Sequence, residues 1–474
     1  MCCFYFNILI LIKLVLGAIA MKIPQTPPSF ESHLSKLAAA EILAFIKKIT
    51  VSTNGPYDAK GRYLHWEKVK HLAAPEGYDA EAFWLSMRNS RTQISKPLPF
   101  VDKHGQPFMY CMPDGVVRDL LWLEKHCSGS LVADNPLAAD EQAKKTYLIG
   151  SLIEEAINSS QLEGASTTRR QAKELLKTGR TPKDHSEQMI FNNHVAMQFI
   201  REHKDDAFSP ELIFKLHQLL TLKTLEAEDI HKSGNFRAAT DDICVFSRDD
   251  QLLHVPPNAS ELPERLQRIC DFANQPVFSE GTSFVPAIIK AIAVHFMLGY
   301  DHPFVDGNGR TARALFYWLV AKEGYWLLEY ISISAVIKQA PNQYMQAYLY
   351  SETDGNDLTY FIIHQLEVIK KAVDNLYEYL ARKSQQLKNT AIKLEQSKLK
   401  QQLNHRQLAL LQHALDNPGA EYSFKSHQNS HGIVYQTART DLLQLTEELK
   451  LLRKVKVGKA DIFIAPADLA GKLF

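Results

Sequence analysis

The chain has 474 residues, 45% hydrophobic and 23% charged, a composition usual for soluble folded protein and long enough for two to four domains. Lysine and arginine number 54 against 53 for aspartate and glutamate, so no global field draws nucleic acid or an anionic membrane, and any polyanion site has to be local. Six cysteines without C-x-x-C spacing speak against a disulfide framework and fit a reducing cytoplasm.

Residues 1–20, MCCFYFNILILIKLVLGAIA, are apolar, but Lys13 interrupts the run and no basic residue precedes it, which departs from both a signal peptide and a membrane span. The expectation is a natural start at Met21 with no membrane role, a single-pass anchor being the alternative. Pro24, Pro27 and Pro28 predict an extended arm. SHLSKLAAAEILAFIKKIT then reads as a helix with Ser32 or Ser35 at its N-cap. Tyr63, Trp66, Phe83 and Trp84 sit among charged residues and read as core, and PFMYCM reads as strand. The N-terminal module these form, residues 21–134, names no chemistry of its own.

From Asn135 the spacing turns helical. Leu148, Ile149, Leu152, Ile153, Ala156 and Ile157 share one face, and Gly164 is placed to end the helix just after Ser159 and Glu163. HSEQMIFNNHVAMQFIREH and SPELIFKLHQLL read as scaffold helices, the second with Ser209 as N-cap and Pro210 at its first position. Ile243, Cys244, Val245 and Phe246, and then Leu252 to Val255, are β-prone runs joined by a polar turn, which predicts a hairpin whose edge could pair with an extended peptide. Pro286 to Tyr300 is apolar nearly all round and should be a central buried helix. His295 within it reads as a core residue rather than as a metal ligand. Tyr344 and Tyr348, four apart, fit either a nucleotide base or the core.

That central helix delivers the stretch HPFVDGNGRTAR, His302 to Arg313. Gly307 and Gly309 allow backbone conformations closed to other residues, so main-chain N–H groups can converge on an anion where a helix begins. A helix starting near Asn308 places Ala312, Leu315, Phe316 and Leu319 on one face and Arg310 and Arg313 on the other, within reach of one phosphate chain. Asp306 is a hard oxygen ligand suited to Mg²⁺, which takes one or two protein carboxylates and fills its other positions with phosphate oxygens and water. His302 is left to handle a proton. The residues alone reach a phosphate and Mg²⁺ site with a base beside it.

The stretch resembles the signature of the Fic family, H-x-F-x-[DE]-G-N-G-R-x-x-R, at every specified position. The resemblance implies a protein adenylyltransferase: His302 deprotonates a Ser, Thr or Tyr hydroxyl of a target protein, the oxygen attacks the α-phosphate of ATP, and pyrophosphate leaves. It implies Asp306 as the Mg²⁺ ligand, and Gly307, Asn308, Gly309, Arg310 and Arg313 as the ATP-phosphate site, with Phe304 as an apolar anchor of the loop. Ser159, Glu163 and Gly164 match the family's inhibitory motif [ST]-x-x-x-E-[GN], which implies autoinhibition through pairing of Glu163 with a signature arginine. Gly234, Phe236 and Arg237 match a G-x-[FY]-R element preceding the family's hairpin flap, which makes Ile243, Cys244, Val245 and Phe246 target-aligning residues. The G-N-G motif speaks against the family's kinase-like variant.

KSQQLKNTAIKLEQSKLKQQLN is polar and lacks glycine and proline, and reads as a helical connector. Beyond it, three helical runs and LLRKVKVGKADIFIA resemble a winged helix with Gln436 to Lys450 as recognition helix. Arg439, Arg453, Lys454, Lys456 and Lys459 could meet phosphates, but Asp441, Glu447 and Glu448 dilute that charge, so DNA and protein docking both stay open. The expected architecture is mainly α: a doubtful leader at 1–20, an N-terminal module at 21–134, a Fic-type helical core with a β-hairpin flap at 135–383, a linker at 384–404 and a winged helix at 405–474. The alternatives in function are a de-AMPylating hydrolase or another phosphate-group transferase on the same scaffold, and a DNA-binding regulator. Self-modification and a homodimer also stay open.

Overall fold

The architecture is mainly helical, as expected, and the computed structural model describes residues 22–50, 55–127, 141–247, 249–277, 284–396, 402–457 and 460–473. The apolar leader, Met21, Asn135 and Lys459 lie outside the described residues. Among those described, no helix is long and apolar enough to cross a membrane. The chain divides into two compact units, residues 1–374 and 375–474.

The first unit opens with α1 (Phe30–Leu34), which Ser29 caps in a capping box with Ser32, and α2 (Ala39–Thr50). The single helix expected here is therefore split, because Ser35 ends α1 instead of starting a helix. Trp66 on α3 (Trp66–Val69) and Phe83 and Trp84 on α4 (Ala80–Ile94) join Phe45 and Ile49 in one apolar cluster, while Tyr63 donates to Asp357 at 2.5 Å beneath the Arg91 guanidinium. Strands β1 (Ser95–Val101) and β2 (Pro107–Cys111) pair antiparallel ahead of α5 (Asp114–Cys127). Met109 in β2 exchanges main-chain hydrogen bonds with Asn356 and Leu358, at 3.0 and 2.8 Å, which ties this segment to the helical core.

The core runs through α6 (Glu141–Leu162), α7 (Arg169–Thr178), α8 (His185–Glu202) and α9 (Pro210–Thr221). Ser209 caps α9 with Pro210 at its first position, as the sequence predicts. A hairpin of β3 (Val245–Phe246) and β4 (Leu252–His254) follows, and then α10 (Leu262–Asn274). The hairpin is shorter than the β-prone runs, since Ile243 and Cys244 precede the first pairing, Val245 with His254. The central helix α11 (Ala287–Asp301) buries every residue except Gly299. Its one lysine, Lys290, is buried because its ammonium reaches the Gln275 carbonyl just beyond α10, where the helix leaves carbonyls unpaired. The loop 302–307 leads into α12 (Asn308–Lys322), followed by α13 (Ile333–Ile337), α14 (Pro341–Thr353) and α15 (Thr359–Gln396).

The second unit holds α16 (His405–Asp416), β5 (Glu421–Tyr422), α17 (Phe424–His431), α18 (Tyr435–Leu443), β6 (Arg453–Val457), β7 (Ala460–Ile464) and α19 (Leu469–Leu473). Its strands form an antiparallel sheet in the order β5-β7-β6. Leu411, Leu442, Leu445, Leu451 and Phe463 make up the centre of its own apolar core. The helix expected from Gln436 to Lys450 is regular only to Leu443 and then widens into a π-turn, Gln444–Glu448.

Candidate active site

His302 sits at the end of α11 in the left-handed conformation, with φ 45°, which turns the chain out of the buried helix. Its Nδ1 lies 3.2 Å from the Gly299 carbonyl. A carbonyl only accepts, so Nδ1 carries the proton and Nε2 keeps a bare lone pair. Enclosure by the surrounding protein pushes the ring down to about 4, with the Gly299 carbonyl working the other way, so the imidazole is neutral at pH 7.

The loop is braced from three sides. Asn308 accepts from the Phe304 N–H at 3.0 Å and donates to the Phe304 carbonyl at 2.8 Å, which closes the turn on itself. That commits the Asn308 side chain to the loop, so what Asn308 offers a phosphate is its main-chain N–H. The N–H groups of Asn308, Gly309 and Arg310 all precede the first intrahelical bond of α12, from Thr311 to Gly307 at 2.9 Å, and so have no acceptor within the helix. His217, which carried no sequence signal, and Arg237, read only as part of the G-x-F-R element, supply the other braces. His217 on α9 donates from Nε2 to the Asp306 carbonyl at 2.9 Å, accepts at Nδ1 from the Gly234 N–H at 2.9 Å, and stacks on Phe304 at 3.8 Å. Burial holds His217 at about 4 and keeps it neutral, which this donor-and-acceptor pair requires. Arg237 donates to the carbonyls of His302 at 2.8 Å and Pro257 at 2.5 Å, and its N–H donates to Pro303 at 2.9 Å. The G-x-F-R element thus holds the loop directly.

The two glycines differ. Gly307 has φ 81°, as the turn requires, and a Cβ there would approach Thr221 to 2.9 Å. Gly309 is the second residue of α12 and needs no special backbone conformation. A Cβ on it would collide with Glu163 Oε1 and come within 3.2 Å of an Arg313 nitrogen.

The arginines also part company. Arg310 donates to the Leu220 carbonyl at 3.0 Å and to the Asp306 carboxylate at 2.8 Å, and it is buried while Asp306 is exposed. Arg313 donates from Nε to the Ser159 hydroxyl at 2.9 Å, and from one terminal nitrogen to the Ser159 carbonyl at 3.1 Å and to Glu163 at 2.8 Å. Burial opposes its charge, yet the Glu163 carboxylate carries its pKa above the usual value. Glu163 is held there by the end of α6: Ala165 N–H bonds to Ser160 at 3.0 Å and Gly164 N–H to Gln161 at 3.3 Å, with Gly164 at φ 98°, a Schellman turn. One turn back from Ser159, buried Glu155 accepts from Tyr317 at 2.9 Å, from Ser332 at 2.7 Å and from the Ser334 N–H at 3.2 Å, and also from the Ser334 hydroxyl.

A cavity of about 480 Å³ opens over these groups, lined by Glu163, His302, Gly309, Arg313, Tyr344 and Tyr348, with Val245 and Phe246 of the hairpin on one wall. Ile243 and Cys244 do not line it. Tyr344 is tied to His295 at 2.8 Å, which places His295 in the core as read. Among the described residues no cluster of three or more His, Cys, Asp or Glu could hold a metal by itself. The exposed Asp306 carboxylate suits a cation that brings its own phosphate oxygens, which is how Mg²⁺ binds.

The sequence profile of the Fic/DOC family matches residues 207–320. The chain is 30% identical to the protein adenylyltransferase Fic of Drosophila willistoni over 171 residues, 35% of this chain and 31% of that protein. It is 27% identical to the protein of the same name from Aedes aegypti over 210 residues, 43% and 38% of the two. The chain thus spans about a third of the length of these relatives. A Fic family protein from Desulfovibrio desulfuricans G20 superposes with a TM-score of 0.48 at 17% identity, over 74% of this chain and 94% of that one. The matched segment is the one that carries the braced loop and Asp306.

Proposed function

We propose that the chain transfers AMP from Mg²⁺-bound ATP to a Ser, Thr or Tyr hydroxyl of a target protein, and that Glu163 restrains the reaction. The observation that carries this reading is the position of the Glu163 carboxylate, on Arg313 and against Gly309 at the mouth of the N–H cradle, where an anion would lie. A protein carboxylate there stands in for a phosphate oxygen. Once Glu163 withdraws, Arg313 is free to take the terminal phosphate while the cradle takes the phosphate chain. Asp306 would hold Mg²⁺, which when bound supplies charge neutralisation to the leaving pyrophosphate.

The bare Nε2 of His302 accepts the proton of the target hydroxyl, the oxygen bonds to the α-phosphorus, and the bond to pyrophosphate breaks. Val245 and Phe246, on the exposed hairpin, align the target by main-chain pairing. Tyr344 and Tyr348 face the nucleotide. The catalytic region takes residues 135–383 in this reading, with the N-terminal module at 21–134, the linker at 384–404 and a winged helix at 405–474. Because Glu163 lines the cavity beside His302, a second reading has it orient water for removal of AMP from a modified protein.

His302→Ala in a Glu163→Gly background tests the assignment. ATP binding by calorimetry should persist while transfer falls by about 10²-fold or more. Transfer near that of Glu163→Gly would overturn the role of His302. Labelled ATP, UTP and CDP-choline compared as donors separate AMP transfer from other group transfers, and release of AMP from a modified target marks the hydrolytic reading.

A further inference from the structure

The second unit carries a surface that the transfer chemistry does not use. Within it, α17 and α18 are consecutive helices joined by a turn with Gly432 at φ 61°. Ala438 and Leu442 of α18 are buried in the unit. The same helix start exposes Val434 by 67% and Tyr435 by 52%, together with Gln436, Arg439 and Thr440. From Tyr422 to Thr440 there is no carboxylate, while Lys425 and Arg439 are exposed. The strand β6 adds exposed Arg453, Lys454 and Lys456. Lys454 is shared between Glu447 and Asp461, but among the described residues Arg439, Arg453 and Lys456 form no ion pair.

The sequence set three carboxylates against a nucleic-acid role, and the structure removes one of them. Asp441 is 3% exposed and turned inward, where it accepts from Asn404 at 2.7 Å, from Arg406 at 2.8 Å and from His427 at 3.1 Å. It braces α16 and α17 against α18 and presents no charge to a partner. Glu447 and Glu448 remain exposed, in the π-turn beyond the end of α18.

We propose that this face binds duplex DNA, with α18 in the major groove and β6 against the backbone. A second helix after a short turn is the element that such a helix pair lays in the groove, reading bases from its N-terminal half. Gln436 suits adenine, Arg439 suits guanine, and the exposed apolar Val434 suits a thymine methyl. Lys425, Arg453 and Lys456 neutralise phosphates.

The test is fluorescence anisotropy of the full chain with a labelled random duplex, across a salt series. Three phosphate contacts give a slope of about −2.7 in log affinity against log salt, so affinity falls by about 40-fold between 50 and 200 mM. Arg453→Ala with Lys456→Ala should weaken binding to all sequences alike and flatten the slope by about 2. Arg439→Ala should weaken a selected site by about 10- to 100-fold and relax its preference. Lys472→Ala, on α19 and paired with Asp468, is the control and should change nothing. Each variant must keep the melting temperature of the natural chain. No binding at low salt overturns the proposal, and so does an equal loss in Lys472→Ala. Binding of a lysate protein that Tyr435→Ala abolishes, with no duplex bound, assigns the face to protein docking and also overturns it.

Discussion

Replacing Glu163 should release the site, and the size of the gain follows from the contact it makes. The Arg313 guanidinium is 2% exposed and the Glu163 side chain 33%, with 2.8 Å between them. A charge-assisted hydrogen bond of this kind contributes about 1.5–3 kcal/mol, and the access of water to Glu163 trims that toward the lower end. If the pair must break before a terminal phosphate reaches Arg313, its loss raises transfer by about 10- to 100-fold. Arg313 should stay in place in Glu163→Gly, because the Ser159 hydroxyl and carbonyl still hold it. Glu163→Gln keeps an acceptor but drops the charge, and should gain less than Glu163→Gly. Arg313→Ala should show no gain, since the phosphate needs that cation too. Self-modification with labelled ATP, at matched protein concentration, compares the natural chain, the single variants and the double variant. Activity of Glu163→Gly equal to or below that of the natural chain would refute the inhibitory role.

Asp306→Ala removes both the exposed carboxylate and the partner of Arg310, so productive ATP binding should fail across a Mg²⁺ titration, and full activity at modest Mg²⁺ would refute the ligand assignment. His302 is held at about 4, below its free value, so the base is competent at neutral pH and is lost only as pH falls through about 4; kcat/KM of Glu163→Gly should show no histidine limb between pH 8 and 5.5, and a limb near pH 6.5 would count against this protonation state. Burial raises the pKa of Glu155 although Ser332, Ser334 and Tyr317 all donate to it. Glu155→Gln turns one acceptor arm into a donor facing donors, which costs about 1–3 kcal/mol and should loosen α6, lowering the melting temperature while raising transfer; a lower melting temperature with unchanged transfer would make the contact purely structural.

What was legible in the sequence is what chemistry or geometry forces to be contiguous. His302 to Arg313 is one loop and one helix start, so its residue types stand together. Gly164 and the Ser209-Pro210 pair mark helix ends by local rules, and the unbroken apolar run of α11 could only be buried. The braces were not legible, because their partners are main-chain carbonyls far along the chain. His217 meets Asp306 across 89 residues, and Arg237 meets His302 across 65, and a carbonyl carries no side-chain signature. Glu155 drew no reading and Asp441 read as surface charge, and only the donors gathered around each make them interior residues. The hairpin was visible but its extent was not, since Ile243 and Cys244 have strand propensity without a partner across the turn.

The two glycines of the loop carry this distinction furthest. Both read alike in sequence, as backbone freedom beside a phosphate. At Gly307 the backbone freedom is used, because the turn into α12 needs φ 81° and a Cβ would meet Thr221 at 2.9 Å. At Gly309 the backbone is helical, and the reason for glycine is the space over it, which Glu163 fills and a Cβ would take. An ordinary helix residue there would deny that space to carboxylate and phosphate alike. In the function proposed above, the absent side chain would serve the restraint and the reaction together, because Glu163 and a terminal phosphate would claim one cation and one opening at the same helix start.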